Sequence, residues 1–101
     1  MSLIKNFFKQ TRILDGGMGQ ELLNRGVIPH GTIWGATALL HKKYHKLLVK
    51  THLDFIKAGA EVIVTNSFGS RKRRLIENKL GHKFKELNEL AGKLARDAVK
   101  K

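Results

Sequence analysis

The stretch Ile13-Leu14-Asp15-Gly16-Gly17-Met18-Gly19 constrains this chain more than any other. An apolar pair runs into an acid, and three glycines follow within four residues. The pattern is that of a short buried strand that stops at a carboxylate. Beyond it the backbone turns tightly or lets a ligand come close, because glycine accepts positive φ and carries no Cβ. In α/β proteins, ligand-binding groups collect at the carboxyl ends of strands beside such turns. The stretch matches neither the dinucleotide GxGxxG nor the phosphate-binding GxxxxGK(S/T) pattern, so a plain strand-to-helix turn stands as its alternative.

Around this stretch the chain alternates. Residues 1–10 form a lead-in, with Leu3, Phe7 and Phe8 placed for one helical turn. Arg12–Asp15 reads as the first strand and Gln20–Arg25 as a short helix closed by Gly26. A loop through Pro29 and Gly31 delivers Trp34, the single tryptophan. From His41 to Lys57, Tyr44, Leu47, Leu48, Phe55 and Ile56 recur at helical spacing, and Ala58-Gly59-Ala60 ends the run. Glu61–Thr65 is β-branched and almost wholly apolar, the composition of a strand covered on both faces. It exits into Asn66-Ser67-Phe68-Gly69. Beyond Arg71–Leu75 and a turn at Gly81, Phe84, Leu87, Leu90, Ala91, Leu94, Ala95 and Ala98 stripe a last helix over Lys83–Val99 as core contacts. The expected fold class is therefore α/β, ordered strand, helix, strand, helix. A right-handed crossover between parallel strands places Asp15 and Asn66 on one rim.

A length of 101 residues suits one small domain. The chain has no cysteine, which excludes a disulfide framework and any thiolate metal site within it. His41 and His45 have the i, i+4 step of a metal pair, but no acid stands near them in sequence, and His30, His52 and His82 are scattered. No apolar run is long enough to span a membrane, and the N-terminus lacks a secretory apolar core, so a cytoplasmic protein is expected. The formal charge of +12 keeps a polyanion partner in view. The one dense cluster is Arg71-Lys72-Arg73-Arg74, and the other lysines are spread from Lys5 to Lys101. Without an aromatic RNA-binding motif, a finger or a helix-turn-helix, nucleic-acid binding is the weaker reading.

Several blocks, in order, resemble the homocysteine S-methyltransferase family. They are Ile13–Gly19 with Glu21-Leu22-Leu23 and Arg25-Gly26, Trp34 at the family's distance, His52–Ile63, Thr65–Gly69, and Glu86-Leu87-Asn88 with Ala91–Ala95. The resemblance implies the first two βα units of a (β/α)8 TIM barrel, incomplete in this chain, with residues 1–101 as its first quarter. It also implies methyl transfer from a methylated donor to the homocysteine thiolate, giving methionine, with a zinc ion holding that sulfur. By the same resemblance Asp15 receives the amino group of homocysteine, and Gly16 and Gly17 let its backbone lie close. Thr65, Asn66, Ser67 and Phe68 line the same pocket, and Trp34 stands near the methyl donor. A lone loop tryptophan also has a plain packing role, and Glu21 reads as favourable charge in a helix's first turn.

The sequence departs from the family at Gln20, where many relatives have threonine, and it lacks the downstream zinc thiolates. It is thus expected to supply an amino-acid-binding half-site with no catalytic or metal residue of its own. Homocysteine and a methyl donor are the implied ligands, and the remainder of the barrel or self-association would complete the unit. The alternatives are an inactive truncated remnant or a small basic nucleic-acid-binding protein.

Overall fold

Two long amphipathic helices carry the core. In a computed structural model, which describes residues 6–101, the helices are α1 (Met18–Asn24), α2 (Thr37–Leu40), α3 (His45–Lys57), α4 (Lys72–Glu77) and α5 (Phe84–Val99). Short 3-10 turns at Trp34–Ala36, Lys42–Tyr44, Phe68–Ser70 and Gly81–Lys83 lead into or out of them. Helix α5 buries Leu87, Ala91, Leu94, Ala95 and Ala98, and α3 buries Leu48, Thr51 and His52. The two helices pack on each other, and the alanines of α5 let the backbones come close. Leu22 of α1, Leu39 of α2 and Leu75 of α4 close the same core. Full burial of each such leucine contributes about 1.5–3 kcal/mol.

The helix ends follow the local chemistry. Gly26, at φ +105°, ends α1, with the Val27 N–H donating to Leu22 O at 3.0 Å. Gly59, at φ +120°, ends α3, and the Ala60 N–H donates to Phe55 O at 3.0 Å. Of the lead-in, residues 6–7 are helical and Phe7 stacks edge-on with Phe8, whereas Leu3 lies outside the described residues.

The α/β expectation is corrected here. Among the described residues there is no strand and no sheet, so two βα units of a TIM barrel are not what this chain forms. The two runs expected as strands meet at a single parallel bridge, Leu14 with Val62. Its bonds run from the Glu61 and Val62 N–H groups to Ile13 O and from the Asp15 N–H to Val62 O. The ladder stops at the next donor, because the Val64 N–H goes to the Asp15 side chain rather than to backbone. A pair with no third strand is marginal in water, and here one bridge is all that forms. Ile13, Leu14 and Val64 remain exposed on it.

The helical content also exceeds the expectation. The segment Trp34–Leu40 is a 3-10 turn running into α2, a stretch to which the sequence assigns no element, and α3 begins at His45 rather than His41, behind a separate 3-10 turn.

Candidate functional site

A cavity of about 660 Å³ opens where the bridge, the start of α1 and two 3-10 turns converge. Leu14, Asp15, Gly16, Met18 and Gly19 line it from the first segment. Thr32 to Ala36 line a second side, and Val64, Thr65, Asn66, Phe68, Gly69 and Arg74 a third. Of the residues singled out in the sequence, it gathers Asp15, Gly16, Trp34, Thr65, Asn66 and Phe68. Gly17 and Ser67 do not line it. Gly17 is the N-cap of α1, and Ser67 accepts from the Ser70 hydroxyl at its carbonyl while its own hydroxyl pairs with that of Thr65 at 2.8 Å.

Close backbone approach shapes one wall. A Cβ on Gly35 would lie 2.6 Å from the Cα of Gly19, and one on Gly69 would collide with the carbonyl oxygen of Ile33. Any larger residue at either position would push these segments apart. Asn66 locks the arrangement: it is almost fully buried, and its Nδ2 donates to the Gly35 carbonyl at 2.9 Å. Its amide is thereby committed to the fold.

Trp34 precedes that locked glycine at φ +54°, a left-handed conformation that is uncommon for a bulky side chain. Such backbone persists only where the surroundings over-determine it, and the Gly35–Gly19 contact with the Asn66 hydrogen bond does so here. The indole is held out, 56% exposed, at the cavity. Phe68, 78% exposed, is the second aromatic on the lining, and the Arg71 guanidinium lies 4.5 Å from its ring centre.

Asp15 is the distinctive charge. The chain has eight acidic residues. Seven of them, Glu21, Asp54, Glu61, Glu77, Glu86, Glu89 and Asp97, lie within ion-pair distance of a lysine or arginine. Asp15 has no such partner among the described residues, although the chain carries twenty lysines and arginines. One of its carboxylate oxygens accepts from the Val64 N–H at 3.0 Å, which fixes the group at the cavity edge.

The sequence did not single out Met18, Gly19, Gly35, Gly69 or Arg74 as lining residues. Gly19 carried a signal, as the last glycine of the opening motif. Met18 and Gly69 likewise lie in the Ile13–Gly19 and Asn66–Gly69 stretches, whereas Gly35 and Arg74 are brought in by tertiary packing.

A model of the homocysteine S-methyltransferase family matches residues 12–101. The chain belongs to the homocysteine S-methyltransferase family. Among curated proteins it is 27% identical over 94 residues to homocysteine S-methyltransferase 2 of Saccharomyces cerevisiae, covering 85% of this chain and 29% of that one. It is 39% identical over 56 residues to homocysteine S-methyltransferase 4 of Zea mays, covering 55% and 16%. With homocysteine S-methyltransferase 3 of Arabidopsis thaliana it is 31% identical over 70 residues, covering 66% and 20%. The chain thus spans less than a third of these relatives' length. No solved structure matches it.

The family's zinc does not fit the donors present. The chain has no cysteine, and among the described residues no three histidine, aspartate or glutamate side chains gather at one point. His30 and His41 have ring centres 6.4 Å apart, and His52 is sealed in the core. No step can therefore be routed through a metal held by these residues. Among the described residues, no helix is long and apolar enough to cross a membrane.

Proposed function

We propose that this chain supplies the amino-acid-binding part of a homocysteine S-methyltransferase site, with the α-ammonium of homocysteine on Asp15. The observation that carries the reading is the state of that carboxylate. It faces a cavity and is fixed by a backbone N–H, and the described residues offer it no cation. A ligand ammonium would fill that role through a charge-assisted hydrogen bond. Gly16 and Gly19 lie on the cavity lining, backed by Phe55 and by the Gly35 backbone, Thr65 adds a hydroxyl, and Trp34 and Phe68 offer aromatic faces suited to a cationic methylated donor.

The reaction then moves a methyl group to sulfur. A lone pair of the homocysteine thiolate forms the new S–CH3 bond while the bond from methyl to the donor's heteroatom breaks, its electron pair leaving with the donor. The contribution of this chain is to bind and orient the amino acid so that its sulfur meets the methyl carbon. Further polypeptide, from the same enzyme or a second copy, completes the site. The exposed apolar side chains of Ile13, Leu14, Val64 and Phe68 support this last point. The charge cluster is spread rather than gathered into one competing polyanion site: Arg71 packs on Phe68, Arg73 projects into solvent and Arg74 lines the cavity.

Titration of the 101-residue chain with L-homocysteine, followed by calorimetry or Trp34 fluorescence, should show saturable binding. Asp15→Asn keeps an acceptor for the Val64 N–H and loses the charge, so it should weaken binding by about tenfold or more. Wild-type chain that binds nothing, or a variant that binds equally well, overturns the reading.

A further inference from the structure

Among the described residues the cavity lining holds two charged side chains, one of each sign: Asp15 and Arg74. We infer that Arg74 receives the α-carboxylate of the same amino acid whose ammonium rests on Asp15, so that the lining is complementary to a zwitterion. The inference deepens the homocysteine-binding reading and depends on it.

Four basic residues lead into and form the start of α4, Arg71-Lys72-Arg73-Arg74, and they are not equivalent. Arg71 donates to the Phe68 carbonyl at 3.1 Å and covers its ring. Arg73 projects into solvent, its side chain 93% exposed, and it does not line the cavity. Arg74 does line it, with a side chain only 32% exposed. Its Nη1 donates to the Thr32 carbonyl at 2.9 Å, which steadies the guanidinium against the loop before Trp34. Its nearest carboxylate, Glu77, lies 3.9 Å from Nε, too far for a hydrogen bond. Among the described residues the fold therefore hydrogen-bonds one of five N–H donors and holds the planar group in place with the others without a hydrogen-bond acceptor. That is the arrangement suited to a carboxylate, which takes two parallel N–H bonds from one guanidinium.

The Thr32 loop is held from a second direction, which keeps the guanidinium's anchor rigid. The Asn78 side chain accepts from the Thr32 N–H at 3.0 Å and donates to its hydroxyl at 2.8 Å and to the Arg74 carbonyl at 2.8 Å. Thr32, Arg74 and Asn78 thus form one polar cluster, of which Thr32 and Arg74 line the cavity. A neutral or purely cationic ligand would leave the guanidinium with no carboxylate in hydrogen-bond range, since Glu77 stands 3.9 Å away. A dicarboxylate would crowd Asp15 with like charge. An α-amino acid with an uncharged side chain matches both groups.

The test compares L-homocysteine with 3-aminopropane-1-thiol, which keeps the amine and the thiol and lacks the carboxylate. Wild-type chain should bind the amino acid about tenfold to a hundredfold more tightly than the amine. Arg74→Gln should abolish most of that difference while leaving the affinity for 3-aminopropane-1-thiol unchanged, and Arg74→Lys, which keeps charge without the fork, should restore part of it. A variant that weakens both ligands alike has lost only the brace on Thr32, and the inference falls. Equal wild-type affinity for the two ligands also overturns it, while leaving the role of Asp15 intact. If wild-type chain binds neither ligand, the homocysteine reading itself is overturned and this inference with it.

Discussion

At the scale of single residues, the polar groups of this chain divide into those used by the fold and those left over. Asn66, Ser70 and Asn88 are used: the Ser70 hydroxyl donates to Ser67 O and pairs with Asn88 Oδ1, and Asn88 Nδ2 donates back to Ser70 O. Asp15 is left over at the cavity, and His52 is left over in the core. The His52 ring is fully buried, and neither nitrogen has a hydrogen-bond partner among the described residues. Burial pushes its pKa below the ordinary 6.5, and the negative charge of Asp15 opposes that shift only in part. The unfolded chain then binds more protons than the folded one at pH values between the depressed value and 6.5. Stability is therefore complete above pH 6.5 and is lost as pH falls through the folded pKa. Asp54, held by Lys50 and Arg25, and Glu61, held by Arg12, titrate below the ordinary carboxylate range and so act at lower pH. Urea midpoints should fall between pH 7.5 and 5.5 for the wild type and fall less for His52→Leu. That variant should also gain about 1 kcal/mol at pH 7.5 by removing two unsatisfied nitrogens. An equal acid-side fall in both proteins would show that His52 does not drive it.

At the scale of elements, periodicity made the helices legible and composition misled on the strands. The stripes on α3 and α5 are visible because a helix needs only its own backbone and one apolar face. Glu61–Thr65 has the residues of a buried strand, yet a strand is stabilised by neighbours it cannot specify, and here Asp15 takes the next donor of the ladder. The stretch Trp34–Leu40 carried no helical signal, since Gly35 and Thr37 are weak helix formers. It is held instead by tertiary contacts, with Asn66 on the Gly35 carbonyl and the His30 N–H on the Thr37 hydroxyl. The cavity was legible at Asp15 and at Asn66, where polar residues follow apolar runs. Arg74 was read as one of a charge cluster, because only packing distinguishes it from Arg73. Two glycines test this division between local and tertiary control. Gly92 lies inside α5 with open space where a Cβ would stand, so Gly92→Ala should stabilise by about 0.5–1 kcal/mol. Gly35 faces the Gly19 backbone, so Gly35→Ala should destabilise by about 1–3 kcal/mol. Thermal unfolding of both variants should move in opposite directions, and a shared sign would refute the close-approach account of the cavity wall.

At the scale of the whole molecule, charge and openness act together. The radius of gyration is 14.3 Å, against about 13 Å for a compact domain near this length. The carboxylates are nearly all engaged, but mostly in exposed pairs along helices, such as Lys50–Asp54, Lys85–Glu89 and Lys93–Asp97. Pairs of that kind are worth about 0–1 kcal/mol each. Against them stands a net +12 on 101 residues. At ~10 mM salt the screening length of about 30 Å spans the molecule, so every excess lysine repels every other. At ~100 mM it shrinks to about 10 Å, which weakens long-range repulsion more than it weakens pairs already in contact. Added sodium chloride should therefore raise the urea midpoint over this range, and neutralising exposed lysines such as Lys42 and Lys72 with glutamine should flatten the rise. A midpoint that falls with salt would mean that the ion pairs outweigh the repulsion. In that case the seven engaged carboxylates would be major stabilisers, and the freedom of Asp15 to take a ligand would come at a measurable loss of fold stability.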